Sequence, residues 1–181
     1  MTTALIIIGV IVGIIVVILI IASMQKDEIT ITREITIKRR VSDVYNYAKL
    51  LKNGDKYNKW VMADPNMKKN FRGVDGTVGF VYAWDSQNKQ AGKGEEEITK
   101  LVENSFIEHE IRFEKPMQSV AKVIMDIKRQ DENTTVFTWS FTNKLNLMMK
   151  VMHLFFNFEK LLGADMQHSL LNLKNNIEHN G

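Results

Sequence analysis

The sequence predicts an α+β fold: one apolar N-terminal helix, a seven-stranded antiparallel sheet with two short helices after its first strand, and a long C-terminal helix. Three observations carry that expectation. Residues 4–22 are apolar at every position. Hydrophobic residues then recur at period two in short runs bounded by turn residues. From Met148 onward they recur mostly at steps of three and four, the spacing of an amphipathic helix.

The apolar run Ala4–Ala22 holds nineteen residues, fifteen of them Ile, Val or Leu. As a helix it is roughly 28 Å long, close to the hydrocarbon thickness of a bilayer. Its side chains favour insertion by on the order of 5 kcal/mol. A secretory signal would have a basic leading segment, a shorter apolar stretch and a small-residue cleavage site; Met1 to Thr3 carries no Lys or Arg, and Ala22-Ser23-Met24 is a poor processing site. The run therefore reads as an uncleaved single-pass anchor over residues 1–25, with one globular domain over 26–181. Lys26, Arg33, Lys38, Arg39 and Arg40 follow it, and this positive flank places the domain on the cytoplasmic side of the membrane. The absence of cysteine agrees with a reducing compartment.

Charge excludes one class of partner. The 24 basic and 21 acidic residues are interspersed, giving a net charge of +3 with no broad basic stripe, so nucleic acid is not expected as a ligand. Arg39-Arg40 and Lys68-Lys69 with Arg72 are short clusters that suit a solvated face or contact with lipid headgroups.

Along the domain, Ile29, Ile31, Ile35 and Ile37 alternate with polar residues as in a half-buried strand. Ser42 is the expected N-cap of a short helix carrying Val44, Tyr45, Ala48 and Leu51, closed by Asn53-Gly54. A further helical turn carries Tyr57 and Trp60 before Pro65. Six strands follow at 67–72, 78–85, 94–103, 105–113, 119–129 and 134–141, joined by short turns as in an antiparallel meander. The final helix carries Met148, Met152, Phe155, Leu162, Met166, Leu170, Leu173 and Ile177, and Gly163 within it predicts a bend or a junction of two helices nearby.

No metal site or cofactor is expected: the four histidines show no H-x-x-x-H spacing and no cysteine joins them. The glycines at 73, 76, 79, 92 and 94 lack the context of a phosphate-binding loop and read as turns. Glu95 and Glu97 share one strand face while Glu96 points the other way, and the trio reads as a solvated edge. His109 is in phase with Ile107, Ile111 and Phe113 on an apolar face, which makes it the one candidate for acid-base chemistry, although a hydrogen-bonded core histidine fits the same pattern. Glu159 is the expected carboxylate partner, being the one acidic residue on the apolar side of the last helix.

Phe80, Tyr82 and Trp84 share one strand face, and Phe137, Trp139 and Phe141 share another. Such faces and a methionine-bearing helix are ordinary core. The methionines also offer an adaptable surface, and Tyr82, Trp84 and Trp139 bring polar groups to apolar walls.

The order of elements resembles the helix-grip fold of the SRPBCC superfamily, which includes START lipid-transfer domains and polyketide cyclase/dehydrase-like proteins. The residues that carry the likeness are Asn58-Lys59-Trp60, Gly76-Thr77 with Gly79, Tyr82-Ala83-Trp84, Gly92-Lys93-Gly94, Phe113 with Pro116, Thr135-Val136-Phe137 with Trp139, and Leu170-Leu171-Asn172-Leu173-Lys174 with Glu178. The resemblance implies a curved sheet wrapped around the last helix and a cavity between them for a hydrophobic or lipid-like small molecule. It would be lined by Trp60, Phe80, Tyr82, Trp84, His109, Met125, Phe137, Trp139, Met152, Phe155 and Met166. A ligand pocket of this kind should exceed about 300 Å³. Two alternatives remain open: a cyclase- or dehydratase-like enzyme with His109 as base, and an interaction module whose groove accepts an apolar segment of a membrane partner.

Overall fold

The computed structural model describes residues 2–180. Helix α1 (Thr2–Ser23) precedes β1 (Glu28–Ile37), α2 (Val41–Ala48), a 3-10 helix (Leu51–Lys56) and the single turn α3 (Lys59–Met62). Strands β2 (Lys68–Arg72), β3 (Val81–Asp85), β4 (Lys93–Val102), β5 (Phe106–Lys115), β6 (Ser119–Arg129) and β7 (Thr135–Lys144) follow, then α4 (Leu147–Phe155) and α5 (Phe158–Asn180). All seven strands form one antiparallel sheet in the order β1-β7-β6-β5-β4-β3-β2. The meander is thus sequential, and β1 joins it beside β7, where Ile31 lies opposite Phe141 and Ile37 opposite Thr135.

Helix α5 packs on this sheet, as period-two strands and a 3.6-period helix require if both apolar faces are to leave water. Ile31, Ile37, Ile107, Val123, Ile127 and Phe137 from the sheet meet Met166, Leu170, Leu173 and Ile177 from α5, and Val44, Tyr45 and Ala48 of α2 join the same core. Polar bonds set the helix along β1: Glu178 Oε1 accepts from Lys38 N at 2.6 Å, and Arg39 Nη2 donates to the Glu178 carbonyl at 2.6 Å.

Two local expectations are corrected. The N-cap of α2 is Arg40, which makes no side-chain cap bond, and Ser42 lies inside the first turn with its hydroxyl toward Asp43. The C-terminal helix breaks at Phe156-Asn157 rather than at Gly163. There Phe156 is extended, and the Asn157 side chain accepts from Lys160 N at 2.9 Å, a cap that starts the new helix. Gly163 sits inside α5 because Arg33 crosses it: a Cβ there would lie 1.7 Å from the guanidinium. Arg33 donates instead to the Gly163 carbonyl at 3.2 Å and to Glu159 at 2.8 Å.

Helix α1 is strongly apolar and unburied along its length up to Ala22. It is long and apolar enough to cross a membrane. Its C-terminal end is tied to the domain. Ala22 is fully buried, α1 packs against α4, and Lys150 of α4 donates to Asp27 at 2.6 Å.

Candidate functional site

A partly open cavity of about 180 Å³ lies between the sheet, α3 and the first turns of α5. Trp84, Glu96, Ile111, Phe113, Val123, Trp139 and Phe141 form the sheet wall; Asn58, Trp60, Val61 and Met67 come from α3 and its flanks, Gln90 and Ala91 from the β3–β4 loop, and Leu162 and Met166 from α5. All three tryptophans of the chain line it. A recess of about 20 Å³, lined among others by Tyr57, Tyr82, His109 and Met125, shares Asn58, Val61, Glu96 and Trp139 with it. The main cavity is smaller than the roughly 300 Å³ expected from the sequence. It still exceeds the ~150 Å³ that suffices for a benzene-sized guest.

The walls are fixed from several sides. The Asn58 side chain caps α3 by accepting from Trp60 N at 3.0 Å, and Lys59 N donates to Ser169 Oγ of α5 at 3.0 Å, which holds this turn over the cavity. Trp84 Nε1 donates to the Ala91 carbonyl at 2.9 Å, and its ring stands edge-on to Phe113 at 6.0 Å. Gly94, opposite Trp84 in the register, is required by that approach, since a Cβ would come within 2.9 Å of the indole and 2.6 Å of the Arg112 carbonyl. Trp139 stands edge-on to Tyr57 at 6.5 Å.

The polar groups gather at the recess. His109 is fully buried on β5, and its Nδ1 lies 2.9 Å from Glu96 Oε1 on β4. The expected partner Glu159 is instead exposed and paired with Arg33, so Glu96 is the histidine's carboxylate. The trio is not a solvated edge: β4 runs between β3 and β5, and the two neighbours of Glu96 are half-buried and ion-paired on the opposite face, Glu95 and Glu97 with Arg112 and Glu95 also with Arg72. Among the described residues, His109 Nε2 and Trp139 Nε1 are buried without a hydrogen-bond partner. Burial, with the negative charge of Glu96 added, pushes the Tyr57 hydroxyl well above its usual range. Burial also raises Tyr82, whose hydroxyl donates to Asp55 at 2.7 Å. Both phenols are therefore neutral at physiological pH.

Of the candidate residues read from the sequence, Trp60, Trp84, Trp139 and Met166 line the main cavity, and Tyr82, His109 and Met125 line the recess. Phe80 and Phe137 are buried in the packed core and line neither. Met152 and Phe155 lie on α4, Phe155 exposed, and line neither. Glu96, Ile111, Phe113, Phe141 and Leu162 were not among the candidates, although Ile111 and Phe113 share the strand phase of His109 and Glu96 is out of phase with its two ion-paired neighbours. No group of three or more His, Asp or Glu side chains is placed to hold a metal ion among the described residues.

No curated protein matches the sequence. Solved structures share the architecture. The Aha1 dimer from Colwellia psychrerythraea is 18% identical, with a TM-score of 0.57 over 83% of this chain and 97% of that one. Ara h 8.0201 is 12% identical, with a TM-score of 0.56 over 83% and 97%. A hypothetical protein from Helicobacter pylori is 9% identical, with a TM-score of 0.61 over 83% and 88%. At these identities the likeness is one of fold, the helix-grip arrangement of sheet and C-terminal helix. In sequence, residues 28–178 match a family described as polyketide cyclase / dehydrase and lipid transport, a membership that suggests hydrophobic ligand binding. With most of its length inside that match, the chain belongs to the polyketide cyclase / dehydrase and lipid transport family.

Proposed function

We propose that the protein binds a hydrophobic or lipid-like small molecule between its sheet and C-terminal helix while α1 holds it to a membrane. The observation that carries the ligand reading is the tryptophan-lined cavity, apolar for most of its wall and polar at its inner end. At about 180 Å³ it encloses an acyl or aryl terminus and leaves the remainder of a longer molecule at the open side. The tether rests on the length, hydropathy and exposure of α1, and the cationic flank after it favours a cytoplasmic domain.

Because all three tryptophans line the cavity, intrinsic fluorescence reads its occupancy. Titrating the full chain in amphipol with 1-bromohexane should quench that fluorescence saturably, and Ala91→Phe, which fills the wall, should abolish the saturable phase. Linear quenching, identical in the variant, would remove the ligand reading. Alkaline carbonate extraction tests the tether: the chain should remain with the membrane pellet, and release into the supernatant would refute anchoring.

The His109–Glu96 pair favours a second reading, a cyclase- or dehydratase-like enzyme. A carboxylate that accepts the Nδ1 proton leaves Nε2 as a basic atom facing the recess, which is the arrangement of an oriented general base. His109→Gln would then abolish turnover of a polyketide-like substrate with folding and binding unchanged. Equal turnover by both proteins would eliminate this reading.

A further inference from the structure

Helix α4 has the sequence LMMKVMHLF, apolar except at Lys150 and His153. Both polar residues are occupied inward: Lys150 is 7% exposed and bonded to Asp27, and His153 stacks on Phe158 at 4.4 Å. The apolar residues are turned out instead, with Met148 62%, Phe155 65%, Phe156 60% and Leu161 60% exposed, and Leu147 and Leu154 beside them. This inverts the usual pattern of a surface helix, and so contiguous a patch marks an interaction site.

What covers it follows from where it lies. Three residues separate the end of α1 from Asp27, a span of about 14 Å at most when extended. Asp27 holds α4 through its side chain to Lys150, and holds the segment leading into α4 through its carbonyl, which accepts from Leu145 N at 2.8 Å. With α1 in a bilayer, the apolar face of α4 is therefore at headgroup depth. The register puts the cavity at the same end of the sheet. Glu28, where β1 leaves α1, faces Lys144; Phe141 faces Val123; Ile111 faces Ala121; Phe113 faces Gly94; and Gly94 faces Trp84. The sheet wall of the cavity thus runs from mid-strand, at Trp139 and Ile111, to the strand ends nearest α1, at Trp84 and Phe113.

We infer that α4 and the start of α5 form a second membrane contact, an apolar face seated at the headgroup–acyl boundary that lays the cavity end of the domain on the lipid. The inference rests on the reading of α1 as an anchor. It gives an apolar ligand a short path between bilayer and cavity, without a long transit through water.

Because the chain has no cysteine, single nitroxide labels on the full chain test this directly. Met148→Cys, Phe155→Cys, Val12→Cys and Lys128→Cys would be reconstituted in vesicles of phosphatidylcholine and phosphatidylglycerol, and their collision rates with oxygen and with a water-soluble nickel chelate compared. The labels at 148 and 155 should follow the label at 12, with an oxygen-to-nickel ratio several-fold above that at 128 on the far end of the sheet. A lipid-like ratio at 12 with water-like ratios at both 148 and 155 overturns the second contact and leaves the anchor standing. Water-like ratios at 12 overturn the anchor and the contact together. Spin–spin broadening at 148 and 155 that vanishes on dilution with unlabelled chain assigns the face to a second copy and equally overturns the lipid contact.

Discussion

His109 Nδ1 on β5 lies 2.9 Å from Glu96 Oε1 on β4, and the opposite ring nitrogen, buried at the edge of the recess, has no partner. Removing the carboxylate alone strands Nδ1 as well. Glu96→Leu should cost about 1–3 kcal/mol of stability. The double variant Glu96→Leu/His109→Phe, which removes both ring nitrogens along with the carboxylate, should recover much of that loss. Chemical denaturation of the three proteins checks the order.

Arg33 and Gly163 form a second coupled pair. Alanine favours a helix interior by about 1 kcal/mol over glycine, but at 163 its methyl would displace the guanidinium from the helix carbonyl and from Glu159. Gly163→Ala should therefore change stability little in the native background and stabilise by about 1 kcal/mol in Arg33→Ala. A double-mutant cycle from thermal melts measures the difference.

Gly94→Ala has no such escape, because its methyl meets the Arg112 carbonyl and the ring of Trp84 rather than a flexible chain end. A loss of about 1–3 kcal/mol is expected, together with an altered tryptophan emission as the Trp84 indole moves within the cavity wall. Emission unchanged from that of the native protein would show that the indole is not the group that yields.

On the outer face, hydrogen bonds from Arg72 and then Arg112 hold the Glu95 carboxyl below its ordinary value of 4.5. A group depressed in the folded state stabilises above its unfolded value and loses that contribution as pH falls through the folded one. Stability should decline below about pH 4.5 from this source, and Arg112→Leu should flatten the decline while lowering stability at neutral pH. Melting temperature against pH for both proteins provides the measurement.

The strands were legible because alternation is local: Ile29 to Ile37 announces β1 without any knowledge of its neighbour. The partner of His109 was not, because it depends on a register that slips between Ile98 and Lys100 of β4. Glu159 had the right helical phase, yet it is drawn outward by Arg33, a residue 126 positions away. Met152 and Phe155 share a period with Met166, but the phase restarts at Asn157, so α4 and α5 turn their apolar sides to different surroundings. That restart had a sequence signal in Asn157 itself, whose side chain caps the following turn.

The sheet is open, and its two outermost strands deal with their unpaired flanks differently. Strand β2 is five residues long, three of them Lys68, Lys69 and Arg72. Beside β1, Lys174 reaches the Thr36 carbonyl at 2.9 Å and Arg33 the Thr32 carbonyl at 2.8 Å. Molecules gathered at high density thus offer one another a short cationic margin and a margin already engaged, which opposes ribbon-like stacking into aggregates.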